Sequence, residues 1–188
     1  MKIAICIPTT GSIKTKTFCC LISLLKETKQ EWIVFTQTSA ILHESRNILA
    51  LRAITEKCTH LLFVDTDMEF PIDSLSRLLK REKKIIGVPT NIKQLPLVST
   101  AKKRAEGFDI WENEGDLIKC ASVGTGFMLI DLSVFKELSK PYFFYSHLEN
   151  GKLDYGEDAY FCRKAREAGF PIYLDTTLKV GHIGDYIY

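Results

Sequence analysis

The chain opens on an unbroken apolar run, Ile3 to Ile7, that stops at Pro8-Thr9-Thr10-Gly11-Ser12. A short run with no polar alternation predicts a strand buried on both faces of a sheet, here residues 2 to 7. The segment from Pro8 to Ser12 predicts a turn, with Ser12 or Thr10 placed to cap a helix that runs to about residue 28. Trp32 to Thr36 predicts a second strand. His43 to Cys58 has apolar residues at 48, 49, 51, 53 and 54, which predicts a helix leading into a third strand that ends at Val64. Ile72 to Lys80 predicts a short helix and Ile85 to Val88 another strand. The first 90 residues thus alternate strand and helix, which predicts parallel strands joined by right-handed crossovers.

The second half is less regular. Asn91 to Cys120 is mixed in charge, with short strands expected at Phe108 to Trp111 and Leu117 to Lys119 around Glu114-Gly115-Asp116. Gly124-Thr125-Gly126 leads into a strand through Asp131, followed by a helix from Ser133 to Leu138. The two glycines allow either close backbone approach to a ligand or a tight turn into a core strand. Tyr142 to Tyr145 is aromatic and extended, a helix opens at Asp154-Tyr155-Gly156-Glu157-Asp158 and runs to about Gly169, and Ile172 to Leu174 forms a last strand. No repeat, linker or low-complexity tract divides the chain, so one α/β domain is expected over residues 1–188.

Composition narrows the class. With 46% hydrophobic residues and a net charge of +2, the chain has the core of a folded domain and no charge argument for nucleic acid. Six cysteines without paired C-x-x-C spacing, several in apolar surroundings such as Ile5-Cys6-Ile7 and Phe18-Cys19-Cys20-Leu21, read as reduced core residues of a cytoplasmic protein. The apolar stretch at the amino terminus is too short for a signal peptide, and no run reaches the length of a membrane span.

Candidate chemistry gathers in three places. Leu61 to Val64 ends abruptly in Asp65-Thr66-Asp67, two carboxylates one residue apart at the carboxyl end of a buried strand, where open α/β sheets bind ligands. Such a pair can hold Mg²⁺ or Mn²⁺ and through it a diphosphate; alternatively, Asp65 or Asp67 caps the helix after Pro71. Glu157 and Asp158 stand at a helix start, where the macrodipole favours negative charge. His182 lies between Gly181 and Ile183-Gly184 just after an apolar strand. Together these supply oxygen ligands, an imidazole and a spare carboxylate for proton transfer.

The order Ile7-Pro8-Thr9-Thr10, Ser45-Arg46-Asn47, Phe63-Val64-Asp65-Thr66-Asp67, Gly124 to Ile130, Tyr155-Gly156-Glu157-Asp158 and Gly181-His182-Ile183-Gly184 resembles a compact GT-A fold glycosyltransferase of the family 2 type. The resemblance covers nearly the whole chain and implies a nucleotide-binding half, 1–90, and an acceptor and catalytic half, 91–188. It implies a Rossmann-like, mostly parallel central sheet flanked by helices, and transfer of a sugar from a UDP- or GDP-linked donor to a hydroxyl acceptor, with Mn²⁺ or Mg²⁺ as cofactor. By that resemblance Asp67 and His182 bind the metal, and Asp65 contacts the metal or ribose beside Thr66. Pro8, Thr9 and Thr10 border the base and ribose, Arg46 lies near the nucleotide, and Gly124 and Gly126 back the sugar. Asp158, or else Glu157, receives the acceptor proton. Thr36-Gln37-Thr38-Ser39 stands where the family often has an aspartate that reads uracil.

Two other readings stay open. A nucleotidyltransferase also handles nucleotide diphosphates at an acidic metal site, although the loop after the first strand has a single glycine rather than a glycine-rich basic run. A non-catalytic carbohydrate-binding protein would stack sugars on Trp111 and Tyr142 to Tyr145. Acceptor recognition is expected in Asn91 to Cys120 and Pro141 to Gly151, with Lys93, Lys102, Lys103 and Arg104 facing either an anionic acceptor or solvent.

Overall fold

In a computed structural model the described residues are 1–90, 101 and 116–184, together with the backbone of short strands at 104–105, 108–109 and 112–114. In chain order the elements are β1 (Lys2–Thr9), α1 (Thr15–Glu27), β2 (Glu31–Thr38), α2 (Leu42–Thr55), β3 (His60–Val64), β4 (Met68–Glu69), α3 (Ser74–Lys80) and β5 (Ile85–Gly87). There follow β6 (Arg104–Ala105), β7 (Phe108–Asp109), β8 (Glu112–Glu114), β9 (Leu117–Cys120), β10 (Phe127–Asp131), a 3₁₀ turn (Val134–Lys136), β11 (Ser146–His147) and β12 (Leu153–Tyr155). The described chain closes with α4 (Glu157–Glu167), β13 (Ile172–Asp175) and β14 (Gly181–His182).

One sheet of eight strands, in the order β2-β1-β3-β10-β5-β13-β9-β8, draws on both halves of the chain. β1 pairs in parallel with β2 and β3, as the alternating pattern predicts. β10 then inserts antiparallel between β3 and β5, and β13 pairs parallel to β5 and antiparallel to β9, so six of the eight strands point the same way. The chain steps from β1 out to β2 and back past β1 to β3. With right-handed crossovers that step sets α1 and α2 on opposite faces and makes the β1/β3 boundary a topological switch point.

Strand alternation divides the core accordingly. Ile3, Ile5, Leu62 and Val64 pack with Leu21 and Leu24 of α1 and Leu75 and Leu78 of α3. Ala4, Cys6, Leu61 and Phe63 pack with Leu49, Ala50 and Ala53 of α2 and Phe161, Cys162 and Ala165 of α4.

Several expectations are corrected. Neither Thr10 nor Ser12 caps α1: Lys14 occupies the N-cap and no side chain caps the helix. Thr9 organises the turn instead, its hydroxyl accepting from the Gly11 amide (3.0 Å) and donating to the Ser12 carbonyl (3.0 Å). Helix α2 buries Ser45, Arg46, Leu49, Ala50 and Ala53, whereas Ile48 and Ile54 face outward, because the inward guanidinium of Arg46 sets the buried face. Ser133 to Leu138 forms only a 3₁₀ turn. Tyr142 and Phe143 are buried rather than displayed for stacking, since Asn47 grips their backbone: its Oδ1 accepts from both amides (2.9 and 3.2 Å) and its Nδ2 donates to the Phe143 carbonyl (2.8 Å). All six cysteines are free thiols; Cys6, Cys58, Cys120 and Cys162 are buried, but Cys19 is exposed on α1. Trp111, Lys93, Lys102, Lys103 and the Arg104 side chain lie outside the described residues. Among the described residues no helix is long and apolar enough to cross a membrane.

Candidate active site

The carboxyl end of β3 delivers Asp65, Thr66 and Asp67 to the switch point, and each is then tied to a different part of the chain. Neither aspartate caps α3, whose N-cap is Asp73. The Thr66 carbonyl accepts from the Lys14 amide (2.9 Å), which joins the acidic turn to the loop after β1. The Asp65 amide donates to the Gly126 carbonyl (2.9 Å), which joins it to the start of β10. A Cβ on Gly126 would stand 3.1 Å from Asp65 Oδ2, so this glycine is where the backbone passes close to the carboxylate. Gly124 is buried two residues earlier.

Asp67 meets the end of the described chain. β14 pairs antiparallel with β4, setting His182 opposite Met68, and the Ile183 amide donates to the Asp67 carbonyl (2.7 Å). That pairing brings His182 Nε2 to 3.3 Å from Asp67 Oδ1, with both side chains partly exposed. Among the described residues no group of three or more His, Cys, Asp and Glu side chains converges as a metal cage. Two donors facing solvent do fit an ion that takes its other ligands from diphosphate oxygens and water, the usual mode for Mg²⁺.

Asp65 turns away from this pair toward Arg46. The Arg46 side chain is 1% exposed; its Nη2 donates to Asp65 Oδ1 at 2.9 Å, its Nε lies 3.6 Å from Glu157 Oε1, and its guanidinium packs over the Phe63 ring at 5.1 Å. Burying this cation is tolerable because two carboxylates face it. Among the described residues its Nε and Nη1 have no hydrogen-bond partner, an incomplete satisfaction that is costly in a buried donor. Glu157, buried in the first turn of α4, also faces the Tyr145 phenol; burial first, then the Glu157 carboxylate, pushes the Tyr145 pKa up to about 12. Asp65, Arg46, Glu157 and Tyr145 therefore form one chain of contacts.

Asp158 is half-buried beside that chain, its Oδ1 accepting from the Ala159 amide (2.6 Å), while a Cβ on Gly156 would approach the same oxygen to 3.3 Å. Thr9 and Thr66, with Gly11, Thr36 and Thr38, line a cavity of about 470 Å³ floored by Ile7, Leu21 and Leu25. Pro8 is buried in β1 and Thr10 is exposed, and neither lines this cavity. The sequence-derived candidates thus fall into an Asp67–His182 pair, an Asp65–Arg46–Glu157 cluster with Gly126, and a threonine-rimmed cavity. Tyr145 and Asn47 are positioning groups, whereas the sequence offers them only as part of an aromatic run and of the Ser45-Arg46-Asn47 motif. The buried face of α2 does leave a trace, the i, i+3, i+4, i+7 series Arg46, Leu49, Ala50, Ala53.

No family model matches the chain, and no curated protein sequence matches it. Solved structures do. The A197 protein from STIV superposes with a TM-score of 0.66 at 20% identity, over 98% of this chain and 87% of that one. A UDP-glucose pyrophosphorylase complexed with UDP-glucose gives 0.55 at 8% identity, over 96% and 92%. An enzyme described as a mannose-1-phosphate geranyltransferase from Thermus thermophilus gives 0.52 at 9% identity, over 95% and 75%. The chain has the GT-A, nucleotide-diphospho-sugar transferase fold, a mostly parallel Rossmann-like sheet flanked by helices.

Proposed function

We propose that this chain is a metal-dependent glycosyltransferase that moves a sugar from a UDP- or GDP-linked donor to an acceptor hydroxyl, in glycan or polysaccharide synthesis. The observation that carries the reading is the pairing of β14 with β4, which sets His182 3.3 Å from Asp67 at the carboxyl edge of the sheet. Residues more than a hundred positions apart in sequence meet where this fold binds its ligands. Fold likeness to a UDP-glucose-binding enzyme is consistent with a nucleotide-sugar ligand.

In this reading Asp67 and His182 hold Mn²⁺ or Mg²⁺, which when bound acts as a Lewis acid on the departing diphosphate. Thr9 and Thr66 border the nucleoside in the cavity they line. Asp65 is fixed by Arg46 and is available to the ribose or the metal through Oδ2, the oxygen that faces Gly126. Glu157 lies against Arg46 and acts as a positioning residue, and Asp158, half-buried beside it in the first turn of α4, is the base that takes the acceptor proton.

The nucleotidyltransferase reading shares the fold, but the loop after β1 is ill-suited to a triphosphate. Its one glycine amide is donated to the Thr9 hydroxyl at 3.0 Å rather than left for a phosphate. A thermal-shift screen separates the two. UDP- and GDP-sugars with Mn²⁺ should raise Tm more than nucleoside triphosphates with sugar 1-phosphates, since a ligand of the native state stabilises it by mass action. A larger shift with the triphosphates would overturn the proposal.

A further inference from the structure

At the opposite end of β3 from the acidic turn lies a second concavity, about 650 Å³, within the range of small-molecule sites. The five residues of β3 separate it from Asp65 by roughly 17 Å at the usual rise per residue. Its floor includes Leu132, Phe135 and Tyr142, all buried, and its rim carries Lys57, Lys84 and Lys136. One carboxylate, Asp131, lines it, and that group is taken by Lys84, whose Nζ donates to Oδ2 at 2.6 Å and also to Ser133 Oγ at 3.0 Å. Among the described residues Lys57 and Lys136 pair with no carboxylate, so the cavity holds two uncompensated positive charges over an apolar floor.

Lys57 reaches this rim from an unusual backbone position. It follows the C-cap of α2 with φ +55°, in the left-handed region that favours glycine. Two hydrogen bonds hold it there, Lys57 N–H to the Ile54 carbonyl and Cys58 N–H to the Ala53 carbonyl, both 3.0 Å. The equivalent position after α4 is glycine, Gly169 at φ +86°.

We propose that this cavity is a binding site for a soluble organic phosphate, its phosphate held by Lys57 and Lys136 and its apolar or aromatic part seated on Leu132 and Phe135. A concave pocket with its charges around an apolar floor fits a small amphipathic anion better than a flat membrane surface. The site does not depend on the function proposed for the acidic end of the sheet.

The test uses EDTA-treated full-length protein with phenyl phosphate and inorganic phosphate as probes, followed by thermal shift and calorimetry. Phenyl phosphate should stabilise the protein saturably and bind about tenfold more tightly than inorganic phosphate, the scale of a partly buried ring. The double variant Lys57→Gly, Lys136→Ala should keep or raise the ligand-free Tm, because glycine suits the left-handed position, yet bind phenyl phosphate at least about tenfold more weakly. Asp67→Asn should bind it like the parent, which separates this site from the acidic one. Absence of saturable binding, equal affinity for the two phosphates, undiminished binding by the double variant, loss on Asp67→Asn, or binding to phosphatidic acid vesicles without phenyl phosphate would each overturn the proposal.

Discussion

Arg46 and Asp65 meet at 2.9 Å inside the protein, the guanidinium fully enclosed and the carboxylate at the mouth of the candidate site. The contact fixes the first acid of the Asp65-Thr66-Asp67 turn from behind, so the turn is shaped by a residue on α2 that does not itself reach solvent. Glu157 approaches the same guanidinium from α4. One buried cation therefore links the acidic turn to the helix that carries Asp158.

Removing that cation leaves two carboxylates partly or wholly buried without compensation. Arg46→Met is predicted to destabilise the fold by about 3 kcal/mol or more, in the range seen when one partner of a buried pair is deleted. Asp65→Asn, at a partly exposed position, costs less. In a double-mutant cycle by denaturant unfolding, the pair should couple by about 1 kcal/mol or more. Additive losses would mean that Arg46 acts through packing on Phe63 rather than through Asp65.

Glu157 and Asp158 are adjacent in sequence but differ in role. Asp158→Asn is predicted to lower kcat by about 10² or more while donor affinity stays within a few-fold, the pattern of a group that acts in the transition state. Glu157→Gln should lower stability as well as activity, because it loosens Arg46 and Tyr145 together. Steady-state kinetics alongside unfolding curves checks the split; an Asp158→Asn enzyme with near-normal turnover would remove its assignment as base.

Asp175 anchors the turn that carries the chain from β13 toward His182. It accepts from Arg81 Nε (2.7 Å), the Thr177 amide (2.9 Å) and the Thr177 hydroxyl (2.7 Å). Burial pushes its pKa up, but the hydrogen bonds from Arg81 and Thr177 and the Arg81 charge outweigh it and hold the carboxyl below its usual range. A folded-state pKa below the unfolded value gives stability that is fully present above the unfolded carboxylate pKa, near 3.9, and is lost as pH falls through the folded pKa. Asp175→Asn should therefore cost about 2 kcal/mol at neutral pH. The gap between parent and variant should close as pH falls below about 4. A gap independent of pH would contradict the ionic account.

The sequence pattern reveals β1, β3, β5 and the acid pair because unbroken apolar runs and their sharp ends record burial directly, and it reveals β2 as an apolar run although only Phe35 of that strand is buried. The meeting of Asp67 with His182 is legible only through motif order, since β4 and β14 are two residues each and leave no periodic trace. Strand direction leaves no mark either, so the antiparallel insertion of β10 between β3 and β5 emerges only in the structure. The burial of Arg46 leaves only the spacing of Arg46 with Leu49, Ala50 and Ala53 as a trace, because a helical arginine ordinarily reads as surface and its two carboxylate partners stand on other elements. Tyr142 and Phe143 are hidden for a similar reason: the Asn47 amide turns them inward, and a single asparagine carries no such signal in sequence.

Whether Asp67 and His182 support sugar transfer from a nucleotide diphosphate donor is decided by product analysis after incubation with labelled UDP- and GDP-sugars and an acceptor panel. The parent, Asp67→Asn and His182→Ala are compared with and without Mn²⁺. The parent is predicted to release free nucleoside diphosphate and form a labelled glycoside, both requiring Mn²⁺. Both variants should lose product by about 10² or more at unchanged far-UV circular dichroism, as expected when a transition-state interaction is removed. Sugar-nucleotide synthesis from a triphosphate, or equal turnover in the parent and both variants, would contradict the assignment.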